Sequence, residues 1–347
     1  MNKVVLSANS SWYLYNFRSA TISELLNRNY SVVCISPKDD HSILLENLGA
    51  EWIDIKLDSN GINPISDVIF LFKLFNQYTK IKPVAVFNFT IKNNIYGAIA
   101  GYFAGIKTFS NITGLGTVFI NRSFISIIVK MLYKFSQSKP ERVFCQNEED
   151  LNILQSNNLV PSEKLILLPG SGVNINKFLP NLDYLNGSEG KLRFLFAGRM
   201  LKDKGILELV NSFKKINQSE ILCELWLLGF ADTKNTTSIS LAEITSWSQI
   251  PGIKWYGSTN QVEDFLSQVD VAILPSYREG MPRFLLEAGA MQIPSITTDV
   301  PGCRNIILHK FNGLICKPRS ENSLIEAITQ MLKMSKNKRL NMGINAR

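Results

Sequence analysis

The chain is expected to be an α/β protein of two similar halves, each a parallel sheet flanked by helices. Three observations lead there. Its 347 residues exceed one typical core and suit two domains. Short β-branched runs alternate with longer helical patterns almost throughout, the pattern of βαβ units. Near 174–191, "NINKFLPNLDYLNGSEGK", that alternation breaks into Asn, Asp, Pro, Gly and Ser, a linker composition. The expected domains are therefore 1–180 and 181–347.

In the first half the strand candidates, in order, are "VVLSAN", "SVVCIS", "EWIDIK", "VAVFNF", "TFSNIT", "RVFCQN" and "KLILLP". Each is short, apolar and bounded by polar or turn residues. Helical periodicity lies between them near 16–28, 41–48, 64–79, 94–104, 122–137 and 147–156. A second series follows the linker: "RFLFAGR", "CELWLLG", "IKWYG", "DVAILPS", "PSITTD" and "GLICKP". Ligands of open parallel sheets bind beyond the C-terminal ends of the strands. Two such domains facing each other make a cleft, so the strand-to-helix junctions are where chemistry is expected.

Composition excludes several classes. Hydrophobic residues at 45% and charged residues at 19% describe a globular chain, not a disordered one. No apolar run reaches the roughly 18–20 residues that span a bilayer. The start, "MNKVVLSANSSW", reads as a buried strand rather than a signal peptide. Five cysteines without a CxxC spacing, most of them inside apolar runs, read as reduced core thiols of a cytoplasmic protein. With only His41 and His309 and no DxD triplet, no tightly bound metal is expected.

The formal charge of +8 is unevenly placed. Residues 64–139 hold nine Lys or Arg and a single acid, Asp67, so this segment alone carries +8. It is also rich in Phe, Ile, Leu and Tyr. In "VFINRSFISIIVKMLYKFSQSKPER", Arg122, Ser126, Lys130 and Lys134 recur every four residues and fall on one helix side. One reading is a face that lies on an anionic membrane. The other is a set of core helices with basic solvent sides. No nucleic-acid partner is expected.

Two junctions in the second half carry the chemistry. "FLFAGRMLKDKG" is a strand, Gly198, Arg199, a step to Lys204, then a helix. Two cations near the free N–H groups of a helix start make an anion site, Arg as a bidentate fork and Lys as a point charge. A solvated turn with surface charges is the plain alternative. "YREGMPRFLLEAGAM" is a loop followed by a helix with Pro282 in its first turn. Glu279 precedes that helix and Glu287 lies inside it. N–H groups near Gly280, Met281 and Arg283 can face a diphosphate, while two flanking carboxylates suit sugar hydroxyls. The alternatives are a carboxylate held by the helix dipole for Glu279 and a salt-bridged helix residue for Glu287.

These motifs together, "GR…KG", "EGMPRFLLE" and "PGCRNII…NGLI", resemble the retaining glycosyltransferases of the GT-B class, family 4 (glycosyl transferases group 1). "NSSWYLYNFR", "NITGLGTVF", "VFCQNEED" and "LPGSGVNINKF" extend the resemblance to the branch that builds bacterial surface polysaccharides and glycans. It covers nearly the whole chain. The resemblance implies two Rossmann-like domains, acceptor in the first and nucleotide sugar in the second. It implies that Arg199 and Lys204 neutralise the donor diphosphate, that Glu279 holds the transferred sugar and that Glu287 holds the ribose hydroxyls. It implies a metal-independent, cofactor-free transfer of a hexose or N-acetylhexosamine. The donor would be a UDP-sugar and the acceptor an undecaprenyl-diphosphate-linked saccharide at the inner face of the cytoplasmic membrane.

In the first half, Ser10 and Ser11 are expected to offer hydroxyls and N–H groups near the diphosphate. Trp12, Tyr13 and Tyr15 either stack on a sugar or lipid or pack the core. Arg18 either reaches an acceptor phosphate or pairs with an acid. Gly114 and Gly116 of "TGLG" either let backbone approach a ligand or make a tight turn. Neither histidine is placed as a general base. The chain stops at "NKRLNMGINAR", where the resemblance leads one to expect a final helix crossing back onto the first domain. A shortened form with a looser cleft or impaired activity is the expectation. Two other functions fit less well: a sugar-nucleotide epimerase of this fold, and a catalytically silent subunit that binds a partner or membrane.

Overall fold

A computed structural model describes residues 1–347 except 59, 60, 62, 116–123, 188, 189, 219, 221, 233, 234 and 236. Side chains of 124–126 and 185–187 are also left undescribed. The chain divides into two compact units, Met1–Ser171 and Gly172–Arg347.

The first unit contains β1 (Lys3–Ser7), β2 (Ser31–Ser36), β3 (Glu51–Asp54), β4 (Ala85–Phe89), β5 (Thr108–Ile112), β6 (Arg142–Cys145) and β7 (Leu165–Leu167). They form one parallel sheet in the order β3-β2-β1-β4-β5-β6-β7. The central strands read as continuous apolar runs because both faces are covered. One face packs Val4, Leu6 and Cys34 against Leu14 and Ile22 of the helix Ser11–Asn27. The other packs Val5, Val33 and Val86 against Phe70, Leu74 and Tyr78 of the helix Pro64–Ile81.

The second unit contains β8 (Leu192–Ala197), β9 (Cys223–Leu228), β10 (Ile253–Trp255), β11 (Val271–Leu274), β12 (Ser295–Thr298) and β13 (Gly313–Cys316). Their order is β10-β9-β8-β11-β12-β13, again parallel. A single large apolar cluster fills this unit, and Phe178 belongs to it. Residues 172–180, placed by composition with the first domain, thus pack with the second.

Most expected elements form, with informative shifts. The first helix starts at Ser11 rather than near 16, because Ser10 caps it by accepting from the Tyr13 N–H at 3.1 Å. The helix expected at 94–104 is a π-helical turn, Asn93–Gly97, running into an α-helix, Ala98–Ala104. The helix Lys336–Ala346 closes the described chain and packs on the helix Arg283–Ala290. All five cysteines are buried free thiols. Burial pushes each thiol up to about 12, so they are inert core residues. Among the described residues, no helix is long and apolar enough to cross a membrane.

Candidate active site

In the second sheet the strand order reverses between β8 and β11. Segments 198–205 and 275–282 leave the sheet at this edge. They are the two junctions that the sequence singled out, and the topology places them side by side.

Their contact is tight. The 3₁₀ turn Lys202–Lys204 ends at Gly205 with φ +68°. A Cβ on Gly205 would lie 2.1 Å from the Pro275 carbonyl oxygen, so the crossing admits only glycine. The Tyr277 N–H donates to the Asp203 carbonyl at 2.9 Å. Lys204 Nζ is thereby brought 2.5 Å from Glu279 Oε1. Ser276 Oγ donates to the same oxygen at 2.6 Å. Both bonds fall on Oε1, so Oε2 stays unengaged among the described residues. An ammonium carries three donors, so Lys204 retains capacity for a further acceptor.

The turn bearing Glu279 is held from several sides. Gly302, in the "PGC" motif, has φ +79°, and a Cβ there would lie 2.4 Å from the Gly280 carbonyl oxygen. Thr298 Oγ1 donates to the Ser276 carbonyl, and Tyr277 OH donates to Glu208. The Arg319 guanidinium lies over the Tyr277 ring at 4.7 Å.

Arg199 is half-exposed, and its Nη1 donates to Asp232 Oδ2 at 3.2 Å. Exposed pairs of this kind are worth about 1 kcal/mol or less, so a diphosphate can displace Asp232 cheaply. The Gly198 N–H is spent on the Leu228 carbonyl at 2.9 Å, extending the β8–β9 pairing. That N–H is therefore unavailable to a ligand.

The helix Arg283–Ala290 begins one residue later than expected. Pro282 is its N-cap, with φ −72° and ψ 113°, and no side chain caps it. Its positive end is thus not neutralised by a side-chain cap. Gly280 is buried, and Met281 and Arg283 are half-buried. Glu287 lies one turn into the helix, buried, with Arg283 Nε 2.8 Å from its Oε1. Glu287 is thus salt-bridged within its own helix. Burial pushes its carboxyl up to about 7, while Arg283 and Lys177 pull it down and Glu263 raises it. Lys177 pairs with Glu263 at 3.0 Å.

In the first sheet the reversal lies between β1 and β4. Here the expectation for the Ser11 hydroxyl needs correction. The Ser10 hydroxyl accepts as a helix cap. Ser11 is fully buried, its hydroxyl 2.8 Å from Ser36 Oγ, 2.9 Å from Ser42 Oγ and donating to the Pro37 carbonyl at 3.2 Å. The Ser11 hydroxyl is therefore engaged by Ser36, Ser42 and Pro37, whereas the Ser10 hydroxyl, an acceptor in its cap, keeps its O–H to donate. Arg18 lies in the buried stripe Ser11, Leu14, Arg18, Ile22 and donates to Tyr13 OH at 3.0 Å. No acid pairs with it among the described residues. Tyr13 stacks on Phe17 within the core, Trp12 is exposed, and Tyr15 lies beside His41. Gly114 has φ +140°. Gly116 and Arg122 lie outside the described residues. The His309 ring accepts from the Ile315 N–H at 3.0 Å, a structural task.

Sequence reading missed Ser276, Asp232 and the turn after β4. There Thr90 has φ +70°, and the π-helical turn buries Asn93 and Asn94. Asn93 Nδ2 donates to Ser7 Oγ at 2.7 Å, tying β1 to β4. Asn94 exchanges hydrogen bonds with the Asn111 backbone at 3.0 and 3.3 Å. The pair of asparagines directly after a strand was the available signal.

A two-domain, doubly wound protein with a cationic, carboxylate-flanked edge in its second half belongs to the GT-B class. Residues 3–147 match the model of the "Glycosyl transferase 4-like" domain and residues 184–347 that of "Glycosyl transferases group 1". With both domains present, the chain belongs to this glycosyltransferase family. It is 26% identical to the N,N'-diacetylbacillosaminyl-diphospho-undecaprenol alpha-1,3-N-acetylgalactosaminyltransferase of Campylobacter jejuni, over 96% of this chain and 90% of that one. It is 24% identical to the UDP-Gal:alpha-D-GlcNAc-diphosphoundecaprenol alpha-1,3-galactosyltransferase of Escherichia coli, over 78% and 72% of the two chains. HepE of Anabaena, solved in complex with UDP-glucose, shares the fold with a TM-score of 0.80 at 14% identity, over 100% of this chain and 93% of that one.

Proposed function

We propose that this chain is a retaining glycosyltransferase. It moves a hexose or N-acetylhexosamine from a UDP-sugar to an undecaprenyl-diphosphate-linked saccharide during surface-glycan assembly. The observation that carries the proposal is the Lys204–Glu279 pair at the β8–β11 reversal, with one carboxylate oxygen unengaged beside an uncapped helix start. Lys204 and Arg199 supply positive charge where a nucleoside diphosphate leaves, electrostatic stabilisation that grows in the transition state. Glu279 Oε2 accepts from hydroxyls of the transferred sugar. N–H groups of Gly280, Met281 and Arg283 face its phosphate side. Glu287, when ionised, accepts from the ribose hydroxyls. Two cations and a helix dipole take the charge that a metal would otherwise take, so transfer proceeds without one.

The stereochemical reading is departure and attack on the same face of the sugar, a phosphate oxygen taking the acceptor proton. A trapped glycosyl-enzyme intermediate would overturn it. The direct test is transfer from UDP-, GDP- and dTDP-sugars to defined lipid-diphosphate saccharides, with and without chelator. Product with inverted linkage, isomerised free donor, or no nucleotide response at all would each reject the reading.

The acceptor's lipid places the reaction at a membrane surface. Three helical segments pack side by side on one face of the first sheet: Pro64–Ile81, 93–104 and Phe124–Gln137. Their outer sides expose Ile65, Val68, Ile69, Phe72, Tyr102, Phe103, Ile127, Ile128, Met131 and Phe135. Lys134 is exposed and Lys130 half-buried among them. An apolar face interspersed with lysines supports peripheral binding to an anionic inner leaflet.

A further inference from the structure

Arg18 is 6% exposed, in the core-facing stripe of the helix Ser11–Asn27. Its guanidinium lies over the Phe89 ring at 4.3 Å, and one nitrogen donates to Tyr13 OH. Its buried Nε has no hydrogen-bond partner among the described residues. A buried cation without a counter-ion is costly, and one aromatic face and one phenol compensate it only in part. Phe89 is the last residue of β4, so the charge sits at the C-terminal edge of the strand that flanks the β1–β4 reversal. On β5, Asn111 is the register partner of Phe89, so its side chain stands on the same face beside that ring. Asn111 Oδ1 is also buried and, among the described residues, unpartnered. One orphan donor and one orphan acceptor thus flank the same ring, at the edge where an open parallel sheet takes ligands.

We propose that Arg18 and Asn111 form a glycosyl-phosphate subsite for the acceptor. Arg18 takes an oxygen of the phosphate that carries the first sugar, and the Asn111 carbonyl accepts from that sugar's hydroxyl or acetamido N–H. The cation asks for an anionic oxygen and the Asn111 carbonyl for a donor a few ångströms away, a pair that the phosphate and the hydroxyl or acetamido group of a sugar phosphate supply together. This rests on the glycosyltransferase reading above. It assigns the lipid-linked substrate, rather than the nucleotide sugar, to these residues.

The test compares two probes on the full chain by equilibrium titration: farnesyl-diphosphate-linked N-acetylglucosamine for the acceptor and UDP for the donor. The variants are R18K, N111L and the double variant R18M/Y13F, which leaves no phenol unpaired. The expected result is acceptor affinity at least tenfold weaker in R18M/Y13F and N111L, with UDP affinity within twofold of the parent. R18K should recover part of the loss. R18M/Y13F should also melt higher than the parent, because it removes an uncompensated buried charge, a gain that a purely structural arginine would not give. Equal weakening for both probes assigns the pair to the donor and overturns the proposal. So does unchanged acceptor affinity, or a lower melting temperature in R18M/Y13F with the acceptor still bound. Absence of UDP binding by the parent chain would instead reject the UDP-sugar reading on which this proposal rests.

Discussion

Glu279 and Glu287 lie at one sheet edge, yet their surroundings separate them. Glu279 shares one oxygen with Lys204 and Ser276 and, among the described residues, keeps the other unengaged. Replacing it with Gln weakens the pair to Lys204 and the sugar contact together. Initial-rate kinetics should show mainly a lower kcat. Lys204→Ala should lower kcat by about 10²–10³-fold, the scale of losing one donor to a developing charge. Glu287 is buried against Arg283, and Glu287→Gln should mainly raise the donor KM. The reverse split between the two glutamates would exchange their assigned roles. Its carboxyl titrates near 7 in the folded chain, above the ordinary carboxylate value of 4.5. Between those values the folded state holds more protons than the unfolded one, so this group's contribution to stability falls as pH rises across the window. The proposed ribose contact needs the ionised form, so donor KM should rise as pH drops below 7, and E287Q should flatten that profile.

At the scale of elements, the candidate site depends on how two loops cross. Gly205 in the left-handed region lets segment 198–205 touch Pro275 and deliver Lys204 to Glu279. Gly205→Ala adds a Cβ where no space exists and should cut kcat by about tenfold or more, equivalent to roughly 1.4 kcal/mol in the barrier. Circular dichroism of that variant should remain that of the parent. On the outer helices, K130E together with K134E should weaken sedimentation with anionic liposomes and leave UDP affinity unchanged. Unchanged sedimentation would remove this face as the membrane contact. The lysines alone do not describe the surface: the exposed stripe of Phe124–Gln137 is Ile127, Ile128, Met131 and Phe135, interrupted by Lys134.

Across the whole molecule, the two units carry separate cores. One cluster fills residues 172–347, and three smaller ones fill 1–171. Calorimetry should resolve two transitions. UDP at a hundred times its Kd should move only one of them, by about 2.7 kcal/mol of added stability. Movement of the other transition alone would place the nucleotide in the wrong unit.

Strands, helices and the two-unit plan were legible in sequence because each is a local pattern of burial. So were the two junctions that meet in the second unit, because charges and a helix-start proline cluster within a few residues there. Ser11 and Arg18 were not. A serine after a strand reads as a ligand contact until the helix start at Ser11 sends its hydroxyl to Ser36 and Ser42. An arginine in an aromatic stretch does not announce that Phe89, seventy-one positions away, lies under it. Which polar groups are spent on each other, and which are left for a ligand, depends on contacts between distant segments, and only the tertiary structure decides them.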